Sequence, residues 1–150
     1  MGGLRYHDRK SLSFFIDKGN GESFFESLEK LNNFVGTEWV KQGNKLELYQ
    51  RIGPRVLVIL DNASYHKRQD IIDKIAQSLP NIQLCFLPAY SPDFNLIELV
   101  WHSCKEFIAH RLFESTEQLE KILEKLLNRG ELVINWNRSI QNKGNKAIAS

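Results

Sequence analysis

The stretch that decides the fold runs from residue 55 to residue 66 and reads Arg-Val-Leu-Val-Ile-Leu-Asp-Asn-Ala-Ser-Tyr-His. Its five consecutive apolar residues, Val56 to Leu60, predict a strand that is buried on both faces of a sheet. Asp61 follows this strand directly. Because α/β proteins form their sites at the carboxyl ends of strands, Asp61 is a candidate functional residue.

A second informative stretch covers residues 87–101 and reads Leu-Pro-Ala-Tyr-Ser-Pro-Asp-Phe-Asn-Leu-Ile-Glu-Leu-Val-Trp. Apolar residues recur at helical spacing after the turn, so Glu98 is predicted in the first turn of an amphipathic helix. Carboxylates from separate elements suit magnesium or manganese, and two such ions can clamp the oxygens of a phosphoryl group during its transfer. Our hypothesis is that Asp61 and Glu98 converge on divalent metal that acts on a nucleic acid.

The remaining apolar patterns predict alternating strands and helices around these two stretches. Together they indicate a three-layer α/β fold. The predicted order is a hairpin of two strands (4–7 and 11–17), a helix (22–35), a connection with some helix (36–54), a strand (55–61), a helix (68–79), a strand (82–87) and two helices (96–112 and 116–128).

Composition indicates one ordinary globular domain. The chain has 150 residues, of which 42% are hydrophobic, and its formal net charge of +2 is too small to identify or exclude a nucleic-acid binder. Cys85 and Cys104 lack metal-ligand spacing and are interpreted as small buried residues in a reducing cytosol. Neither a membrane span nor a signal peptide is indicated, so we expect a cytoplasmic protein.

Residues 60–66 and 87–101 together closely resemble the second and third catalytic blocks of DDE transposases of the mariner type and their bacterial insertion-sequence relatives. The resemblance covers residues 55–110 well, and the earlier elements agree in order with that family's RNase H-like fold, a mixed sheet flanked by helices. It implies that Asp61 and Glu98 are the second and third catalytic carboxylates and bind Mg²⁺ or Mn²⁺. The positions that match the family's blocks beside them are Asn62, His66, Tyr90, Ser91, Pro92, Asn95, Trp101 and Lys105.

The resemblance also implies an activity and partners. The implied reaction is metal-dependent cleavage of a DNA strand by water, followed by strand transfer by a 3′-hydroxyl, on transposon ends and target DNA. The complete protein is expected to act as a homo-oligomer associated with the nucleoid. Candidate DNA contacts are Lys67, Arg68, His102 and Lys105.

The first carboxylate of the family is expected at the end of a first, central strand, and the chain begins where that strand would already have passed. Asp8 lies in the predicted hairpin turn, and Asp17 would lie three strands from Asp61, about 14 Å away. That separation far exceeds the spacing of about 4 Å in a metal pair. We therefore expect residues 1–136 to form a partial catalytic domain, inactive alone, that pairs with an upstream fragment or with full-length transposase. Residues 137–150 are predicted to be a polar, disordered tail.

Each candidate residue also has a structural interpretation. Asp61 and Asn62 can begin a turn, and Asn95 and Glu98 have the spacing of a capping box. His66 is more typical of a surface or hydrogen-bonded histidine than of a catalytic one. Further interpretations of this kind are a surface pair between Glu98 and His102, a core position for Trp101, and solvated positions for Lys67, Arg68 and Lys105.

Two functional alternatives follow. One is a non-catalytic remnant that associates with full-length transposase or DNA ends and regulates them. The other is a nuclease of the same fold, which would ignore the sequence of transposon ends.

Overall fold

The computed structural model describes residues 1–6, 8–88, 96–109 and 111–136. Contacts among these residues form two compact units: residue 1 with the described residues of 14–89, and the described residues of 2–13 with those of 90–150. The predicted order of strands and helices is confirmed, and the predicted tail lies outside the described residues. The elements are β1 (Gly2–Leu4), β2 (Ser11–Ser13), α1 (Gly21–Lys41), a 3₁₀ turn (Leu46–Leu48), α2 (Tyr49–Ile52), β3 (Val56–Leu60), a 3₁₀ turn (Ser64–Lys67), α3 (Gln69–Ser78), β4 (Ile82–Phe86), α4 (Ile97–Ile108) and α5 (Thr116–Asn128).

The first unit is built on the parallel pair β3 and β4, in which Val56 aligns with Ile82 and Leu60 with Phe86. The 3₁₀ turn and α3 connect the two strands, as a parallel pair requires. Both strands therefore end at the same edge. The core between the sheet and the two long helices consists of Phe24, Phe25, Leu28, Ile71, Ile75, Leu79 and Ile82, with Val56, Val58, Leu60 and Leu84 packed against it.

The prediction that β3 is buried on both faces is wrong for the described residues. Its alternate residues pack on the core, whereas Leu57 is 56% exposed and Ile59 is 53% exposed. The reason is that α1 and α3 contribute to one and the same core cluster, on one face of the sheet. Cys85, predicted to be buried, is exposed on β4, and Cys104 on α4 is buried as expected.

Helix α1 begins where the sequence predicts but extends to Lys41. Asn20 caps it, because its side-chain oxygen accepts a hydrogen bond of 2.9 Å from the Ser23 amide. Gly21 allows α1 to approach α3 closely, since a Cβ atom there would lie 2.8 Å from the Ile71 side chain. The connection after α1 is fixed by Asn81, which donates hydrogen bonds to the Tyr49 and Pro54 carbonyls.

The second unit combines the antiparallel hairpin β1–β2 with α4 and α5. Ser13 and Asn128 exchange two hydrogen bonds, of 2.7 and 3.1 Å, which join β2 to the end of α5. Trp101 packs against the cluster of this unit, which confirms its predicted core position, and a Cβ atom at Gly2 would lie 2.6 Å from its ring. The buried residues of the cluster are Val100, Cys104, Leu126 and Leu127.

Among the described residues, no helix is both long enough and apolar enough to cross a membrane.

Candidate metal and DNA site

The carboxyl ends of β3 and β4 are joined by hydrogen bonds on both sides of Asp61. The Leu87 amide donates to the Leu60 carbonyl at 2.8 Å. The Asn62 side-chain amide donates to the Leu87 carbonyl at 2.6 Å. Asn62 therefore has a definite structural role, because it holds the loop that carries Asp61 against the chain leaving β4.

Asp61 presents an exposed carboxylate directly after β3. Its side chain is 59% exposed. Its Oδ1 atom accepts a hydrogen bond of 3.1 Å from the Ala63 amide, so the predicted turn interpretation is confirmed. The His66 Nδ1 atom also lies close to Oδ1, at 2.9 Å. Both contacts use the same oxygen, which leaves Oδ2 without a hydrogen-bond partner among the described residues and open to a cation.

His66 is buried, with 7% of its surface exposed, so the surface interpretation of this residue is wrong. Its ring contacts those of Phe24, at a centroid distance of 4.5 Å, and Tyr65, at 4.3 Å. Within the described residues, Nδ1 makes no hydrogen bond of good geometry despite its closeness to Asp61. Burial, and then the negative charge of Asp61, raise the pKa of Tyr65. The aspartate thus lies beside a fixed aromatic cluster.

The two basic residues after His66 differ in their surroundings. Lys67 is exposed, and its ammonium lies 5.9 Å from the centre of the Phe86 ring, near the end of β4. Arg68 instead forms ion pairs with Asp70 at 2.7 Å and Glu22 at 3.1 Å. Its hydrogen bond and charge interaction with Asp70 raise the pKa of Arg68 and lower that of Asp70. Within the described residues, the charge of Arg68 is therefore paired with carboxylates and that of Lys67 is not, and the DNA contacts of both stay a prediction.

Glu98 lies in the first turn of α4, as the sequence predicts, and it is half-buried. No hydrogen bond or ion pair joins its carboxylate to another residue of the described ranges. The predicted surface pair with His102 is wrong, since His102 Nε2 lies 3.1 Å from Glu106 instead.

Lys105 is exposed in the last turn of α4. Four matched positions lie outside the described residues: Tyr90, Ser91, Pro92 and Asn95. The predicted capping box depends on Asn95 and therefore also lies outside them.

The convergence of Asp61 and Glu98 stays a prediction, because the two residues belong to different units. Within residues 1–6, 8–88, 96–109 and 111–136, no group of three or more His, Cys, Asp or Glu side chains is arranged to hold a metal ion.

The sequence and the structure both match known proteins. A family model described as DDE superfamily endonuclease matches residues 1–120. This chain belongs to the DDE superfamily endonuclease family. Endonucleases of this superfamily generally depend on divalent metal, which fits the oxygen ligands that Asp61 and Glu98 offer.

Among solved structures, this DDE family member is similar to the crystal structure of the catalytic domain of Mos1 mariner transposase, with 23% identity and a TM-score of 0.58. The match covers 78% of this chain and 54% of that one, so the chain spans about half the length of the solved protein. The likeness confirms the predicted RNase H-like class of fold. None of the curated proteins matches the chain.

Proposed function

We propose that this chain is part of the catalytic domain of a mariner-type DDE transposase, and that Asp61 and Glu98 hold divalent metal for DNA strand cleavage and strand transfer. The observation that carries the proposal is the exposed carboxylate of Asp61 at the shared end of two parallel strands, with Oδ2 unengaged in the described residues. The family match and the likeness to a transposase catalytic domain support it.

The residues present fit a hard cation. Asp61 offers a carboxylate oxygen, and Glu98 offers a second carboxylate from a separate element, a donor set that suits Mg²⁺ or Mn²⁺. Bound there, the metal would supply charge neutralisation at the phosphodiester and a template for in-line displacement.

The neighbouring residues would prepare this site. Asn62 holds the Asp61 loop to the end of β4, and the buried His66 ring, whose Nδ1 atom lies 2.9 Å from Oδ1, would restrict the orientation of the Asp61 carboxylate. Side chains that orient a metal ligand in this way tune the affinity of a site. Exposed Lys67, at the same edge, would contact a DNA phosphate.

Metal binding tests the proposal directly. Titration of the purified chain with Mn²⁺ by isothermal calorimetry should show binding that is weakened at least about tenfold by Asp61→Asn and by Glu98→Gln. Two matched controls remove the same charges from exposed helix positions: Asp73→Asn on α3 and Glu120→Gln on α5. These should bind Mn²⁺ as the wild type does. Unchanged affinity in both site variants would overturn the metal assignment.

Catalysis by these 150 residues alone is a separate question. The resemblance assigns the first carboxylate of the triad to no residue of this chain, and a missing ligand removes electrostatic stabilisation of several kcal/mol in order of magnitude. We therefore propose that the purified chain does not nick its transposon ends with magnesium, and robust nicking would overturn that statement. If the chain binds no metal and co-purifies with an intact transposase, the alternative of a non-catalytic remnant that regulates the transposase would be favoured.

A further inference from the structure

The second unit contains a cavity of about 330 Å³ that the proposed metal chemistry does not use. Residues of three segments line it: the hairpin turn and β2, helix α4, and the end of α5 with the chain that follows. Its floor is apolar, from Val100, Leu126 and Ile134, and Trp136 forms part of its wall. The volume lies at the lower end of the range for small-ligand pockets, roughly 300–1,000 Å³.

The charged side chains that line this cavity are all basic. Arg9 and Lys10 reach it from the hairpin turn, and Arg129 reaches it from the end of α5. The lining residues include neither aspartate nor glutamate. The cavity therefore combines an apolar floor with positive charge, which suits a ligand that carries an anionic group on an apolar or aromatic body.

Arg9 is the unusual residue of the cavity. Its backbone has a φ of 58°, a left-handed conformation that a residue with a side chain adopts rarely. Its guanidinium carbon lies 4.5 Å from the centre of the Tyr6 ring and 5.1 Å from that of Trp136. The Nη1 atom is buried and has no hydrogen-bond partner among the described residues. Because a buried charged donor is costly when it is left unpaired, this atom calls for an acceptor.

We propose that the cavity binds one nucleotide of single-stranded DNA, with a phosphate oxygen accepting from Arg9 Nη1 and the base against the Trp136 ring. A nucleotide joins an anion to a flat aromatic body, and proteins that bind single strands combine basic grooves with aromatic platforms in this way. A purely apolar ligand would offer no hydrogen-bond acceptor to the Arg9 Nη1 atom. A phosphate ion alone would make no contact with the apolar residues of the floor.

This inference deepens the proposed function, since it rests on DNA as the substrate of the chain. It concerns DNA binding and not strand cleavage, because the cavity would hold a nucleotide that is not base-paired, and it would do so without metal. All binding measurements are therefore made in EDTA. A failure of the Mn²⁺ titration leaves them unaffected, and a failure here leaves the Asp61 and Glu98 assignment unaffected.

The first test measures the affinity of the 150-residue chain for a fluorescently labelled 12-nucleotide single strand by anisotropy. Arg9→Gln should weaken binding about tenfold, and Trp136→Leu should weaken it by a similar factor, since a stacked base contributes on that scale. Arg111→Gln is the matched control: its guanidinium lies 3.8 Å from the Phe107 ring in the same unit, and it does not line the cavity. It should stay within about twofold of the wild type. Equal affinity of the Arg9 and Arg111 variants would overturn the proposal.

A second test uses the wild-type chain and so does not depend on the folding of any variant. The indole N–H resonance of Trp136 is followed in ¹⁵N-edited spectra while deoxyadenosine monophosphate, deoxyadenosine or inorganic phosphate is added. The proposal expects saturable shifts with the monophosphate and weaker ones with either part alone. Equal responses to monophosphate and inorganic phosphate would mean a simple anion site, and no response to the monophosphate would mean no nucleotide site. Either result overturns the proposal.

Discussion

The Nδ1 atom of His66 lies 2.9 Å from the Oδ1 atom of Asp61. The imidazole is held in place by Phe24 and Tyr65, and the aspartate it contacts is exposed. A buried, fixed ring thus lies against one oxygen of a carboxylate whose other oxygen faces outward. Although no hydrogen bond of good geometry joins the two atoms, a ring packed this closely limits the positions that the carboxylate can take, and restraint of a ligand by its neighbours tunes metal affinity.

His66→Ala should lower the Mn²⁺ affinity of the chain about 10- to 100-fold, because the Asp61 carboxylate loses the ring that restricts it. Calorimetric titration measures the affinity, and thermal melting reports the accompanying loss of packing. His66→Asn retains an amide near the position of Nδ1 and should recover part of the affinity.

Phe24→Leu serves as the matched control for this prediction. It disturbs the ring contact of 4.5 Å with the imidazole but leaves the His66 and Asp61 side chains unchanged. Lower stability with unchanged Mn²⁺ affinity is the expected result. If Phe24→Leu weakens metal binding as much as His66→Ala does, His66 acts only through packing.

Asn62→Ala should reduce the free energy of unfolding by about 1 kcal/mol, the usual net value of a hydrogen bond, because the Leu87 carbonyl loses its donor. Asn62→Asp should cost more, since it places an acceptor-only carboxylate oxygen against the Leu87 carbonyl oxygen, and the two repel each other. Urea unfolding followed by circular dichroism measures both changes. Gln83→Ala, an exposed substitution on β4, is the control. A loss as large in Gln83→Ala would refute the assigned role of Asn62.

The sequence predicted the elements well where a local pattern carries the information. The apolar run before Asp61 marks β3, and the helical spacing around Glu98 marks α4, so both candidate carboxylates lie where they were expected. What a local pattern cannot report is which faces of a strand are covered. Leu57 and Ile59 are exposed because the helices that pack on this unit's sheet share one core, which depends on contacts distant in sequence.

The surroundings of the site were less predictable for the same reason. His66 is buried by Phe24, which belongs to the much earlier helix α1, and no pattern within residues 60–66 reports that contact. Asn62 was predicted as a motif position or as a turn residue, and its bond to Leu87 joins segments separated by α3. The cavity around Arg9 was not predictable from a local pattern because its lining combines the hairpin, α4 and the end of α5 with the chain that follows, which are distant in sequence.

The two cysteines should differ strongly in reactivity. Cys85 is exposed, whereas Cys104 is 5% exposed and burial raises the pKa of its thiol. Since the thiolate is the reactive form, a disulfide reagent at pH 8 should modify one thiol of the native chain rapidly and the second only after denaturation. Cys85→Ser should abolish the rapid phase, and Cys104→Ser should leave it. Two rapid phases in the native chain would contradict the burial of Cys104.

The ion pair between Arg68 and Asp70 predicts a pH-dependent contribution to stability. The hydrogen bond from Arg68 holds the pKa of the Asp70 carboxyl below its usual value of 3.8. A carboxyl whose pKa is lower in the folded chain stabilises it above the unfolded-state pKa, and this stabilisation is lost as the pH falls through the folded-state pKa. The melting temperature of Asp70→Asn should therefore lie below that of the wild type at pH 6, and the gap should narrow as the pH is lowered past 4. Because the pair is exposed, the gap should also shrink in high salt.

Asp73→Asn is the control for this pH dependence. It removes the same charge from the same helix, at a residue whose carboxylate accepts from the Gln69 amide and not from a guanidinium. Its melting temperature should follow that of the wild type more closely across the same pH range. A gap for Asp70→Asn that stays constant between pH 6 and pH 3 would show that the loss comes from packing or helix capping, because only a titrating carboxylate produces a difference that closes on acidification.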